Sequence, residues 1–185
     1  MKSRSHFGRL ASVVSLWAIS GIALRGAGGE DELKFATLLA FVQNAQWTDQ
    51  LAANAPLTVG VVGRAAFAKW LSVSGEGKTA NGHPLRIMGL GAAVDPHCCQ
   101  VVYFATDKPA EIKPVLQAFS SEHVLTIGET DGFLEQGGAV NLFLMDGHMA
   151  FEVSLGTLTR SGVEISSKLL RFGQIRDLKR GRPAR

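Results

Sequence analysis

The chain has 185 residues, 46% of them hydrophobic, which is enough for one domain with a sizeable core and argues against disorder along most of its length. Its 19 basic and 16 acidic residues give a net charge of +3, but four basic residues and no acidic one lie in the first 27 positions. The remainder is close to neutral and has no basic stripe with interleaved aromatics, which argues against nucleic-acid binding.

The N-terminus has the pattern of a secretory signal peptide. Lys2, Arg4 and Arg9 precede an uncharged apolar run at residues 10–24, and small residues follow it. The run is shorter than the roughly 20 residues that span a bilayer, although an uncleaved anchor remains the alternative. We therefore expect a signal peptide at residues 1–27, cut somewhere between 23 and 29, then one domain at 30–175 and a flexible basic tail at 176–185.

Hydrophobic periodicity predicts alternating helices and strands along the domain. In the first half we expect a helix at 33–47, a strand at 56–63, a helix at 64–73, a strand at 83–90 after the Asn81-Gly82 turn, and a strand at 100–105. A helix follows at 110–121, with Pro114 in its first turn, and then a strand at 123–129 and a short helical turn at 131–138. The domain ends with two strands within 139–155, split by Asp146-Gly147, and a final helix at 164–175.

This alternation predicts an α/β fold. We expect a single three-layer domain with a mostly parallel sheet flanked by helices, and with the C-terminal antiparallel hairpin at its edge. The near-continuous apolar run of residues 101–104 fits a strand that is buried on both faces. Gly137 or Gly138 suits a left-handed helix cap.

Sequence motifs for catalysis, metals and cofactors are not found. Gly60 and Gly63 lie at a strand-to-helix turn that is a tight connection rather than a phosphate loop, because no P-loop or dinucleotide fingerprint accompanies them. Ser166 and Ser167 lack the S-x-x-K spacing of a serine nucleophile and instead suit the capping of a helix N-terminus. The histidines show no metal-ligand spacing. We expect no enzyme, no metal and no cofactor.

Cys98 and Cys99 are adjacent, and their Cα atoms are therefore only about 3.8 Å apart, which strains a disulfide between them. The favoured interpretation places one thiol in the core and one outward at the start of a strand. A vicinal disulfide and an intermolecular bridge are the alternatives.

Glu152 stands out in the last predicted strand, where period-2 alternation places it on one face with Ser154, and Phe151 on the other. A covered carboxylate needs a partner such as Arg160 or Arg171, whereas an open one is free to meet a ligand or protein. Large aromatics near helix ends, such as Trp47 and Trp70, serve either as core or as anchors. The candidate contact residues are Phe41, Trp47, Phe151, Glu152, Ser154 and Arg171.

The order of these segments resembles the YfiR/HmsC-like family of exported regulators. The resemblance covers residues 33–173 and is most specific from Leu125 onward, in the spacing of a few positions that we assign to a structural motif. These are Gly137, Gly138, Ser166, Ser167, Leu169 and Leu170, and Phe151 belongs to the same spacing.

The resemblance implies a periplasmic, non-catalytic α/β protein that restrains an inner-membrane diguanylate cyclase through its periplasmic sensor domain, which lowers cyclic di-GMP and limits biofilm. Two departures bear on this expectation. Ser154 stands where the family usually has asparagine, and many members have additional cysteines that pair. The alternative is a periplasmic small-molecule-binding domain that serves a sensor kinase or transporter. Whether the chain forms a homodimer stays open.

Overall fold

The computed structural model describes residues 27–48, 51–91, 95, 97–120 and 123–176. The predicted signal peptide up to residue 26 and the predicted tail beyond Arg176 lie outside these residues. The helices are α1 (Ala27–Asn44), α2 (Ala65–Gly75), α3 (Pro109–Ala118), α4 (Leu155–Arg160) and α5 (Ser167–Leu170). The strands are β1 (Ala45–Trp47), β2 (Leu57–Gly63), β3 (Thr79–Ala80), β4 (His83–Gly89), β5 (Val101–Ala105), β6 (Leu125–Gly128), β7 (Val140–Met145), β8 (His148–Ser154), β9 (Val163–Ile165) and β10 (Gln174–Arg176).

Eight strands form one mixed sheet in the order β10-β8-β7-β6-β5-β2-β4-β3, and β1 and β9 form a small antiparallel sheet of their own. The five strands from β7 to β4 in this order run parallel, while β8 is antiparallel to β7 and β3 is antiparallel to β4. The predicted α/β class with a mostly parallel sheet is confirmed.

Both faces of the central strands are buried. All five residues of β5 are buried, and their side chains alternate between two cores. Val101 and Tyr103 face the core that α1 and α2 cover, and Val102 and Phe104 face the core under α3. Strict alternation of side chains along a strand explains how one continuous apolar run supplies both cores.

The predicted hairpin lies near one end of the sheet. Asp146 (φ 51°) and Gly147 (φ 78°) both adopt left-handed conformations between β7 and β8. Positive φ at both turn residues matches the twist of antiparallel strands, and therefore favours Asp-Gly there. β10 pairs in parallel with β8 and lies outside the hairpin, so the edge strand is β10.

The predicted final helix at 164–175 is wrong. Ile165 belongs to β9, where it pairs with Ala45, and the helix that Ser166 caps is only the four residues of α5. Gly173 lies directly against the Phe151 ring, with no room for a Cβ, and the chain then extends as β10. Phe172, which falls within the predicted helix, is 78% exposed.

Two smaller expectations are also corrected. The first helix begins at Ala27 and ends at Asn44, because Ala45–Trp47 extend to pair with β9. Helix α3 begins at Pro109, which places Pro114 inside the helix and beyond its first turn. Pro109 takes the early position that suits proline, since the N–H missing there has no helical partner in any case.

Candidate functional site

A polar crevice of about 520 Å³ lies at the carboxyl ends of β2, β5 and β6. The chain leaves β2, crosses one face of the sheet as α2 and returns as β4, which is a neighbour of β2. On the other side of β2 lies β5, and the chain that leaves β5 crosses the opposite face as α3 and returns as β6. This divergence is the topological switch point of the sheet, the place where α/β proteins most often bind ligands. The lining residues with polar side chains are Arg64, Thr106, Asp107, Lys108, Glu111, Glu129 and Thr130.

Glu129 is the centre of the charged groups beside this crevice. Its carboxylate accepts a 2.8 Å hydrogen bond from the Tyr103 hydroxyl and lies 2.8 Å from Lys34 Nζ and 3.3 Å from Arg64 Nη2. Lys34 also pairs with Glu30 at 2.7 Å. With 14% of its side chain exposed, Glu129 is compensated on three sides, and it joins α1 to the ends of β2, β5 and β6.

The surroundings of Glu129 shift two pKa values in the same direction. Burial, together with the negative charge of Glu129, raises the pKa of Tyr103 far above its ordinary value of 10.0. Burial by itself would lower the pKa of Lys34, but hydrogen bonds to Glu129 and Glu30 outweigh it and raise that pKa above 10.5. Both groups are therefore held in their protonated forms at neutral pH.

A second group of hydrogen bonds leads from the crevice to the edge of the sheet. The Thr130 hydroxyl donates to the Thr106 carbonyl at 2.7 Å, and the Thr130 N–H donates to Asn141 Oδ1 at 3.0 Å. Asn141 Nδ2 in turn donates to Glu152 Oε1 at 3.2 Å. Arg176 then pairs with Glu152 at 3.3 Å.

The ion pair predicted for Glu152 exists, but its partner is Arg176 and not Arg160 or Arg171. The pairing follows from the register of β10, which places Gln174 opposite Glu152 and Arg176 opposite Ser154. Arg176 also pairs with the exposed Glu135 at 3.1 Å. Glu152 therefore fixes β10 to the sheet.

The structure corrects the assignment of Phe41 and Phe151 as contact residues. Phe41 is fully buried and Phe151 is 5% exposed, and their rings pack edge to face with centroids 4.9 Å apart. An edge-to-face pair of this kind stabilises the core. Neither ring offers surface to a partner.

The other candidate contact residues lie in different places. Ser154 is buried and caps α4, where its hydroxyl accepts from the Thr157 N–H at 3.3 Å. Arg171 is exposed beside α5. Trp47 is half-buried, its Nε1 has no acceptor among the described residues, and it lines a pocket of about 470 Å³ with Asn81 and His83. The structure does not bring these residues together into one site.

The positions of the predicted structural motif have physical explanations. Gly137 has a φ of 106°, which favours glycine, and Gly138 lies against the Phe133 ring with no room for a Cβ. Ser166 accepts from the Lys168 N–H, and Ser167 is the first residue of α5. Leu169 and Leu170 are half-buried and pack against the core that α1 and α2 cover.

Cys98 and Cys99 are free thiols, with their Sγ atoms 3.1 Å apart. Cys99 is buried and Cys98 is partly exposed, which matches the interpretation of one inward and one outward thiol. Burial raises the pKa of the Cys99 thiol strongly, and the neighbouring Cys98 adds to this effect. The buried thiol is therefore un-ionised at neutral pH.

The described residues contain neither a metal-binding cluster nor a membrane-spanning helix. Within them, no three histidine, cysteine, aspartate or glutamate side chains form a group that could hold a metal ion. No helix of the described ranges is both long and apolar enough to cross a bilayer.

Comparison with known proteins supplies the family. The sequence profile of the YfiR/HmsC-like family matches residues 31–174, more than three quarters of the chain. This chain is a YfiR/HmsC-like protein. The match begins in α1 and ends at the first residue of β10, so it covers nearly the whole described fold. A comparison with curated proteins finds no match.

The crevice of this YfiR/HmsC-like domain was missed by reasoning from motifs. Its main residues, Arg64 and Glu129, each follow directly after a strand that ends in glycine, β2 and β6 respectively. Because parallel strands bring their carboxyl ends to one edge, the residues after β2, β5 and β6 form a group that the sequence could have indicated. Their pairing with Lys34 depends on where α1 packs, which no local pattern reveals.

Proposed function

We propose that this YfiR/HmsC-like chain is a non-catalytic periplasmic regulator that binds the periplasmic sensor domain of an inner-membrane signalling protein and restrains it. The expected partner is a diguanylate cyclase, so the chain would lower cyclic di-GMP and limit biofilm. The family match over residues 31–174 is the observation that carries this proposal.

The distribution of exposed apolar side chains supports a docking role. Among the described residues, most of the large hydrophobic side chains that are exposed belong to β7, to the start of α4 and to the segment around β10, on the side of the sheet that β10 closes. They are Leu144, Met145, Leu155, Phe172 and Ile175. The register places Leu144 and Met145 at the hairpin turn, whereas Ile175 lies opposite Val153, at the other end of β8. An exposed apolar patch is typical of an interaction surface.

Phe172 and Ile175 are the strongest candidates for the centre of this surface. Phe172 is 78% exposed and Ile175 is 55% exposed, although both lie in the segment that adds β10 to the sheet. Large aromatic and aliphatic side chains that a partner covers supply much of the energy of protein interfaces. A partner that covers both would also cover the open side of the edge strand.

The experiment is a binding assay with the purified periplasmic domain of a membrane-anchored diguanylate cyclase from the same organism. Phe172→Ser and Ile175→Ser, alone and together, should weaken binding about tenfold or more, as expected for central interface residues. Val73→Ser is the matched control, since Val73 is 66% exposed, lies on α2 and is far in sequence from Phe172 and Ile175. Cyclic di-GMP in cells should rise with the first variants and stay low with the control.

Two results would contradict the proposal. One is the absence of binding between the unmodified chain and the cyclase domain. The other is unchanged cyclic di-GMP when the gene is deleted. If Val73→Ser alone weakens binding, the regulatory role holds and the docking surface lies on α2.

A further inference from the structure

A groove of about 450 Å³ lies on the face of the sheet that α3 covers, away from the switch-point crevice. It is bounded by α3, by the turn at residues 131–137 and by α4 with Ser161. Its volume falls within the roughly 300–1,000 Å³ that small-molecule sites occupy. Leu116, Phe119 and Val124 form an apolar wall on one side.

The charged side chains that line this groove are both basic. Lys113 contributes from α3 and Arg160 from the end of α4, and no carboxylate is among the described residues of the lining. Arg160 Nη2 donates to the Thr157 hydroxyl at 2.9 Å, which holds the guanidinium beside the groove. Neither cation forms an ion pair with a described residue. Two unneutralised cations favour an anionic ligand.

Two polar groups of the groove have hydrogen-bonding capacity that the described chain leaves unused. Gln136 Oε1 is buried and has no donor there. Thr126 is 7% exposed, and its hydroxyl oxygen accepts a hydrogen bond from the Ala139 N–H at 3.0 Å. The hydroxyl proton of Thr126 has no acceptor among the described residues. A buried acceptor without a donor is costly unless a bound group satisfies it.

We propose that this groove binds a small organic carboxylate with an apolar body and one N–H or O–H donor. Arg160 and Lys113 hold the carboxylate, Leu116, Phe119 and Val124 pack against the body, and Gln136 Oε1 accepts from the donor. The site does not involve Glu152, for which the sequence left open an ion pair or a ligand contact and which pairs with Arg176. The inference is independent of the proposed partner, because it concerns a different surface.

The test is calorimetric titration of the protein, purified as the cell processes it, with hydroxylated aryl and alkyl carboxylates and their neutral amides. At least one carboxylate should bind in the micromolar to millimolar range, and its amide should bind about tenfold more weakly or worse, since a charge-assisted hydrogen bond is lost. No carboxylate binding tighter than about 10 mM would overturn the proposal. Equal affinity of acid and amide would do the same.

Substitutions in the groove test whether the carboxylate binds at this location. Arg160→Gln and Lys113→Gln should each weaken the carboxylate about tenfold and leave the weaker amide unchanged. Arg171→Gln and Lys168→Gln are the matched controls, because both residues are exposed and basic but do not line the groove. Lys168 lies on α5 and Arg171 directly follows it. Binding that the first two variants leave unchanged refutes this location.

Gln136→Leu tests the donor contact. It should weaken a hydroxylated carboxylate severalfold while the analogue without the hydroxyl keeps its affinity. Circular dichroism checks that each variant is folded, and Lys113→Gln keeps the test decisive if Gln136→Leu does not fold. If Gln136→Leu weakens both analogues equally, the ligand's donor does not contact Gln136 and that part of the proposal is wrong.

Discussion

The centre of the large sheet and its C-terminal end differ in almost every physical respect. All five residues of β5 are buried, whereas all three residues of β10 are exposed. Glu129 and Lys34 meet with 14% and 11% of their side chains exposed, while Arg176 and Glu135 meet with 48% and 49% exposed. We infer that the free energy of folding is concentrated in the centre, which leaves the C-terminal end free to serve interactions.

The test with the largest expected change in stability compares two phenylalanines, one in the centre of the molecule and one at its C-terminal end. Phe133 is fully buried against Phe104, with ring centroids 5.2 Å apart, so Phe133→Ala should lower the free energy of unfolding by about 3–5 kcal/mol. Phe172→Ala, at a side chain 78% exposed, should change it by less than about 0.5 kcal/mol. Urea denaturation measures both. Similar losses for the two variants would break the comparison.

A smaller test compares two glutamates. Glu129→Gln keeps the shape but removes the charge between Lys34, Arg64 and Tyr103, and it should cost about 1–3 kcal/mol of unfolding free energy. Glu135→Gln breaks only the exposed pair with Arg176, which is worth less than about 1 kcal/mol. Denaturation midpoints at low and high salt would separate them. The comparison fails if Glu135→Gln is the more costly change.

The third test is a pH titration, and it sharpens the comparison without changing the core. The folded-state pKa of Tyr103 is raised above 10.0, so its contribution to stability is complete below pH 10 and is lost as pH rises. The raised pKa of Lys34 acts in the same direction. Because Tyr103 is the one tyrosine of the chain, phenolate absorbance reports it alone. Absorbance should appear only together with the loss of circular dichroism.

Tyr103→Phe is the matched variant for the titration. It should reduce the steepness of the loss of stability above pH 10, because one of the groups with a raised pKa is removed while Lys34 and Cys99 remain. Phenolate that forms near pH 10 while the protein stays folded would show that Tyr103 is in contact with water. The centre of the sheet would then be less well sealed than its exposed fractions indicate.

Much of the fold was predictable from short stretches of sequence. The apolar run of β5 and the Asp146-Gly147 turn are local signals, and the structure confirms the strand and the hairpin. The final helix was mispredicted, because residues 164–175 have a helical pattern while their partners lie elsewhere in the chain. Ile165 pairs with Ala45, and Gln174 pairs with Glu152. Pairing with distant strands outweighed local propensity at this end.

The candidate sites were less predictable than the fold. Glu152 was identified as a carboxylate that needs a cation, but its partner Arg176 depends on the register of a strand that the sequence pattern assigned to a helix or tail. The groove beside α3 combines Lys113 with Arg160, which are 47 positions apart in the chain. Side chains that share a cavity across such separations leave no spacing to recognise.

The sequence by itself determined the alternation of helices and strands and the mostly parallel sheet, because periodicity and turn chemistry act over a few residues. Membership of the YfiR/HmsC-like family follows from the match of the family profile to residues 31–174. Only the tertiary structure decided which charges meet. Arg64 and Glu129, 65 positions apart, lie together because β2, β5 and β6 end at one edge of the sheet. That proximity is a property of how the strands pack, and no segment of the chain contains it alone.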